Sequence, residues 1–184
     1  MIHSIVWRRI DKPGHEYCLL TESETGNRMS GVSIVSSDGV PHCVEYEVQC
    51  DADWNTLRCR ISEHGDTGRI DFDVRREAHG WTLNGVEVPG VTNCGDIDLG
   101  FSPSTNLLPI RRLKLEVGGS AVVRAAWVRF PDFTLEPLEQ TYTRVGTDTY
   151  RYESDSGRFK RDLKVSEAGF VLDYPDMWVA ESVA

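Results

Sequence analysis

Alternation of apolar and polar residues with a period of two constrains this chain most strongly. In the run VEYEVQC, Val44 and Tyr46 fall on one face while Glu45 and Glu47 fall on the other, which is typical of a strand with one buried side. The next run, LRCRI, alternates in the same way with arginines on its polar face. A turn through residues 51–54 would set acidic side chains opposite basic ones, so the two runs predict a hairpin.

Turn signals recur about every ten residues along the rest of the chain. Asn84-Gly85 predicts a type I′ hairpin turn, because both residues tolerate the positive φ that this turn demands. Gly118-Gly119 is predicted to join a strand within residues 112–117 to another within residues 121–130. Further predicted strands cover residues 141–144, 149–153, 159–165 and 170–174. The pattern predicts an all-β, antiparallel meander that forms a barrel or sandwich.

Helical patterns are scarce, so the fold class is all-β or β-rich with one or two short helices. Residues 99–108 accommodate a short helix with Ser102 as its cap and Pro103 as its first residue. At 184 residues the chain is long enough for one sizeable core, and we expect a single domain spanning residues 1–184.

Charge and targeting signals narrow the class of partner. The formal net charge of −9 repels nucleic-acid phosphates and anionic lipid headgroups, which disfavours nucleic acid as a partner. No secretory signal is visible and no apolar run approaches the roughly 20 residues of a membrane-spanning helix. Five scattered cysteines without a C-x-x-C pair fit reduced thiols. We therefore expect a cytoplasmic protein without a transmembrane segment; its oligomeric state stays open.

The motifs of common enzymes and cofactor sites are missing from the sequence. It has no G-x-S-x-G elbow, no phosphate cradle and no pair of histidines at metal-ligand spacing, although His64 and Asp66 could come into contact. We therefore expect no catalytic residue, no metal and no cofactor.

Residues 96–112 form a polar, proline-punctuated segment between predicted strands, and a long loop in a β pattern often has a function. Asp96 and Asp98 would share one face of a strand and could act as an acid/base pair. Alternatively, they bond backbone amides or pair with Arg111 or Arg112. The second reading makes the segment structural.

Two of the five tryptophans are candidates for ligand contact. Trp54 and Trp81 lie beside predicted turns, where an indole can line the mouth of a cavity, whereas core packing is expected for the others.

The sequence resembles a bacterial family named "putative glycolipid-binding", formerly a domain of unknown function. The resemblance is carried by Asp51 with Trp54, by Trp81 with Gly85, by the DIDL element and by the run TNLLPIRRL, in this order over about half the chain. It implies a single-domain, incompletely closed antiparallel β barrel, similar to the half barrels that carry lipoproteins and glycolipids. Such a half barrel leaves an apolar concavity with a polar rim.

The resemblance also implies a function, which we state as an expectation. The protein would be a noncatalytic binding protein that holds an amphipathic small molecule, a glycolipid or a fatty-acyl compound, in a β-lined cavity. The expected ligand-binding residues are Trp54, Trp81, Asp98, Asn106, Arg111 and Arg112. The alternatives are an enzyme that acts on a sugar or acyl substrate through Asp96 and Asp98, and a protein-interaction module.

Overall fold

A computed structural model of the chain describes residues 1–65 and 68–184. The predicted contact of His64 with Asp66 therefore lies outside the described residues. The strands are β1 (Ile2–Arg9), β2 (Gly14–Ser23), β3 (Gly26–Ser37), β4 (Val40–Cys50), β5 (Thr56–Gly65), β6 (Gly68–Glu77), β7 (Gly80–Leu83), β8 (Val86–Glu87), β9 (Asp96–Leu99), β10 (Ser120–Val128), β11 (Leu135–Arg144), β12 (Thr149–Ser154), β13 (Phe159–Val165), β14 (Val171–Tyr174) and β15 (Trp178–Val183). One α-helix, α1 (Leu107–Leu113), follows a 3₁₀ turn, Ser104–Asn106.

All described strands belong to one sheet, in the order β8-β7-β6-β5-β4-β3-β2-β1-β15-β14-β13-β12-β11-β10-β9. Neighbours are antiparallel except for β9 and β10, which run parallel. A sheet of this many twisted strands curls. It does not close, because β8 and β9 at its two ends are not paired with each other. The predicted fold class, an all-β, incompletely closed barrel, is confirmed.

The hairpins predicted from alternation are present in the structure. Glu47 lies opposite Arg60 on β4 and β5, and their side chains form an ion pair of 3.3 Å. Asn84 and Gly85 join β7 to β8 with φ angles of 52° and 80°, as a type I′ turn requires. Local sequence therefore sets the register of these hairpins.

Three predictions around α1 are wrong. Residues 113–117 do not form a strand: α1 extends to Leu113, and Lys114 ends it in the left-handed region at φ 47°. The Gly118-Gly119 turn instead exchanges backbone hydrogen bonds with Arg144 at the end of β11. The helix also starts later than predicted and runs through Pro109, which is tolerated because the first helical N–H groups have no intrahelical partner.

Residues 96–113, which we call the central segment, run inside the curved sheet. Phe101, Leu107 and Leu108 have no exposed surface, and they belong to the same core cluster as Trp7 and Tyr142. The segment predicted to be an irregular loop thus begins as strand β9, continues through the 3₁₀ turn and ends as α1. Most of its residues up to Ile110 are buried.

Candidate functional site

The two ends of the central segment meet through an ion pair. Arg112 donates from Nε and Nη2 to the two carboxylate oxygens of Asp96, at 3.1 and 2.5 Å. The Asp96 side chain is 2% exposed. One of the alternatives predicted for Asp96, pairing with an arginine, is therefore present, and this carboxylate is held inside the fold.

The middle of the segment is attached to the sheet by a second buried carboxyl group, that of Glu16 on β2. Tyr46 Oη and Ser102 Oγ both donate to Glu16 Oε1, at 2.6 and 2.5 Å, and Ser104 Oγ lies 2.7 Å from Ser102 Oγ. Glu16 Oε2 is buried without a hydrogen-bond partner among the described residues. Burial raises the pKa of Glu16 to about 8, against the opposing effect of the hydroxyl donors.

A pocket of about 470 Å³, which we call the aromatic pocket, lies between the central segment and strands β10–β15. Its apolar wall contains Tyr152, Phe159 and Tyr174, whose ring centroids lie 5.9 to 6.3 Å apart, and Trp178. Ligand pockets for small molecules commonly measure about 300–1,000 Å³ and have this mainly apolar and aromatic lining.

Asp98 and Asn106 bring polar groups to the aromatic pocket. Gln140 Nε2 donates to Asp98 Oδ2 at 2.5 Å, while Asp98 Oδ1 has no hydrogen-bond partner within the described part of the chain. Burial raises the pKa of Asp98 to about 6, helped by the negative charge of Asp96. The Asn106 amide donates to Pro103 O at 3.2 Å and accepts from Tyr142 Oη at 2.9 Å, so both ends of the amide are fixed.

A second pocket of about 730 Å³, the basic pocket, contains Trp54 and Arg111. Asp51 accepts three hydrogen bonds from Asp53 and Asn55, and these fix the turn that holds Trp54 at φ 69°. The Arg111 guanidinium lies 4.8 Å from the centroid of the Trp54 ring and pairs with Glu22. The basic pocket is thus built on a turn that the sequence resemblance had already picked out.

The structure separates the six expected ligand-binding residues. Asp98 and Asn106 line the aromatic pocket, and Trp54 and Arg111 line the basic pocket. Trp81 has no exposed surface and donates from Nε1 to Cys94 O at 3.0 Å. Arg112 is engaged with Asp96. Trp81 and Arg112 thus lie outside both pockets, and their expected contact with a ligand stays a prediction.

Several pocket residues were not singled out from the sequence. Tyr152, Phe159 and Tyr174 occupy ordinary inward positions of strands, and only their aromatic character marks them. Glu16 does carry a signal, because it alternates in phase with Cys18 and Leu20, which are both buried. A carboxyl group on the apolar face of a strand predicts a buried polar cluster.

Two further findings concern the described residues as a whole. Within residues 1–65 and 68–184, no helix is long and apolar enough to cross a membrane. The same residues contain no group of three or more His, Cys, Asp or Glu side chains placed to hold a metal ion.

Comparisons with known proteins agree with the fold. The crystal structure of a DUF1089 family protein from Pseudomonas aeruginosa is 31% identical, with a TM-score of 0.74, over 87% of this chain and 89% of that one. A β-barrel-like protein of DUF1849 from Brucella abortus has 12% identity and a TM-score of 0.53, over 99% of this chain and 96% of that one, and this likeness shows the fold alone. No curated protein matches the chain.

A family profile covers almost the whole sequence. The profile described as "Putative glycolipid-binding" matches residues 4–180, a range that includes the central segment and both pockets. The description names binding and no reaction. The chain belongs to the family that this profile describes.

Proposed function

We propose that the protein is a noncatalytic binding protein for an amphipathic small molecule, and that the aromatic pocket is its binding site. One observation carries this proposal: the carboxyl group of Asp98 and a wall of aromatic rings line the same pocket, whose volume is about 470 Å³. The family description supports it by naming glycolipid binding.

The apolar wall suits an acyl or alkyl group. Tyr152, Phe159, Tyr174 and Trp178 present ring surface, and the half-buried Leu138 and Met177 complete the lining. Burial of an aliphatic chain against such a surface is worth about 0.8 kcal/mol per CH₂ group. The apolar part of a ligand would therefore gain affinity with each CH₂ group that it buries here.

The polar side of the pocket suits hydroxyl groups. Asp98 Oδ1 is available as an acceptor, and the orientation of the carboxyl group is set by Gln140. The Asn106 amide is held by Pro103 and Tyr142, so its second N–H can donate without a change of rotamer. Groups fixed in this way lose little entropy when they bind a sugar hydroxyl.

The geometry gives less support to an enzyme that uses two carboxylates. Asp96, the expected partner of Asp98, is buried against Arg112 and does not line the aromatic pocket. The other carboxylate that lines it, that of Asp155, is exposed and pairs with Arg158 at 2.7 Å. A hydrolase of the two-carboxylate type needs both groups facing the substrate.

The proposal is tested with octyl glucoside, titrated below its micellar concentration and followed by NMR, together with native mass spectrometry of the purified protein. We expect saturable binding that perturbs the Trp178 indole signal. Leu138→Trp should weaken binding at least tenfold, because the added ring fills space along the pocket wall. Leu57→Trp, which adds the same ring on the exposed outer face of β5, is the matched control.

A protein that carries no apolar ligand after purification and shows no saturable binding of the glucoside would overturn the proposal. So would equal binding by Leu138→Trp and wild type. Turnover of a glycoside that is lost in Asp98→Asn, with the fold intact, would favour the enzyme instead.

A further inference from the structure

The basic pocket has a lining that the proposed function does not use. It lies where the end of α1 meets the β4–β5, β11–β12 and β13–β14 turns, and its volume is about 730 Å³. Arg111, Lys114 and Arg144 line it, in a protein whose formal net charge is −9. Glu116, Asp148 and Glu167 line the pocket as well, so its character depends on how these charges are arranged.

The charge of Arg144 is not compensated by a carboxylate among the described residues. Its guanidinium donates to three backbone carbonyl oxygens, those of Leu115 at 2.9 Å, Thr147 at 2.7 Å and Gly146 at 3.3 Å. These bonds use three of its five N–H groups and fix its plane, while the full positive charge remains. Arg144 is therefore a preorganised hydrogen-bond donor for an anion at the pocket wall.

Arg111 is also held in one orientation. Its Nη1 donates to Ala168 O at 3.3 Å, its Nη2 pairs with Glu22, and its plane lies over the Trp54 ring. Its side chain passes close to Gly169, where a Cβ would lie 3.2 Å from Arg111 Cδ. Several N–H groups of the guanidinium remain available after these contacts.

The acidic residues of the basic pocket are more exposed than its two arginines. Glu116 and Glu167 are exposed at its rim, and Asp148 is bonded to Lys164. Exposed carboxylates are screened by solvent and salt, whereas the two half-buried guanidinium groups are fixed. Lys114, exposed and in no ion pair with a described residue, adds a third cation. The inner surface of the pocket is therefore suited to an anion.

We infer that the basic pocket is a second binding site, for a small organic anion that presents a phosphate or carboxylate group to Arg111, Lys114 and Arg144. Planar guanidinium groups match the oxygen geometry of both anions. The site is independent of the aromatic pocket, because the two pockets have no lining residue in common. If this inference fails, the proposed function is unaffected.

The test is calorimetric titration at low ionic strength with glucose 1-phosphate, with glucuronate and with neutral glucose. Phosphatidylcholine vesicles with and without phosphatidylglycerol, in a sedimentation assay, distinguish a lipid headgroup from a free anion. We expect saturable binding of at least one anionic probe, weakened by salt, and none of glucose. Leu138→Trp should leave this binding unchanged.

Two variants and a control locate the site. Arg144→Gln should weaken binding about tenfold, as expected for a lost charge-assisted contact. Lys114→Gln, which breaks no hydrogen bond of the described residues and therefore preserves the fold, should weaken it about threefold. Lys12→Gln removes the same charge at an exposed position outside the pocket and should have no effect. Absence of binding by every anionic probe, or equal binding by Lys114→Gln and Lys12→Gln, would overturn the inference.

Discussion

Two buried carboxyl groups attach the central segment to its surroundings in chemically different ways. Asp96 meets a guanidinium, that of Arg112, through two hydrogen bonds. Glu16 meets only hydroxyl groups, those of Tyr46 and Ser102, and its second oxygen has no partner among the described residues. The side chains are equally inaccessible, yet one is compensated by a charge and the other is not.

The difference teaches that burial alone does not decide how a carboxyl group contributes to stability. An ion pair fails when its cation is removed, because an uncompensated charge stays in the interior. A carboxyl group among hydroxyls avoids that cost by keeping its proton, and its contribution then depends on pH. The two attachments should therefore respond to different perturbations.

The largest effect is expected at the ion pair. Arg112→Leu should lower the free energy of unfolding by about 3 kcal/mol, because Asp96 would remain buried without its partner. Urea denaturation at pH 7 measures this loss. In the Arg112→Leu background, Asp96→Asn should restore stability by removing the buried charge; a loss of less than about 1 kcal/mol in the single variant would show that Asp96 is compensated by other groups.

The second effect is a pH dependence carried by Glu16. Its pKa is about 8 in the folded protein against 4.5 as the ordinary value, so between these values the folded state binds one proton more. The contribution of Glu16 to stability is then fully present below pH 4.5 and falls as the pH rises towards 8, by up to about 1.4 kcal/mol per pH unit, which is about 2 kcal/mol between pH 6.5 and 8. Glu16→Gln should remove this slope.

The measurement compares unfolding curves of wild type and Glu16→Gln between pH 6.5 and 8.5. The contributions of other titratable groups cancel when the two curves are subtracted. Asp98 is one of these groups: its raised pKa of about 6 also makes stability fall with rising pH, but at lower pH than Glu16. Glu45→Gln on the outer face of β4 serves as the control. Parallel curves for wild type and Glu16→Gln would contradict a protonated Glu16.

The smallest effect is expected at Ser102. Ser102→Ala removes the donor to Glu16 Oε1 and the contact with Ser104, and it should cost about 1 kcal/mol. Loss of this donor should also raise the pKa of Glu16 further, since the hydroxyl now lowers it. The pH range over which the contribution of Glu16 falls should therefore extend to higher pH in this variant. A curve that moves to lower pH would show that Ser102 does not stabilise the charged form.

The hairpins were predictable because their signals are local. The strands β4 and β5 alternate in phase, and Asn84-Gly85 dictates its own turn type. The pairing of β9 with β10 was not predictable, since a parallel neighbour has no adjoining turn to announce it. Residues 113–117 also alternate between apolar and polar side chains, but alternation does not show whether a neighbouring strand is available for pairing. In the structure the helix ends at Leu113, and residues 114–117 form no strand.

The candidate site was predictable only in part, for a related reason. Asp98 and Asn106 stood out as polar residues in an irregular segment, and both line the aromatic pocket. Arg144 did not stand out, because its role depends on the carbonyl groups of two turns that are distant from each other in sequence. Residues whose function comes from packing between distant strands leave little trace in a single sequence.

The pairing of β1 with β15 has a consequence for how the molecule folds. Ile5 lies opposite Val183, so the middle of the sheet is joined by residues from opposite ends of the chain. Closing such a long loop is slow, and during synthesis β1 offers an unpaired edge until residues 178–183 have emerged. We expect the β1–β8 and β10–β15 halves to form early as separate meanders, with their joining as the slow step and the stage most exposed to aggregation.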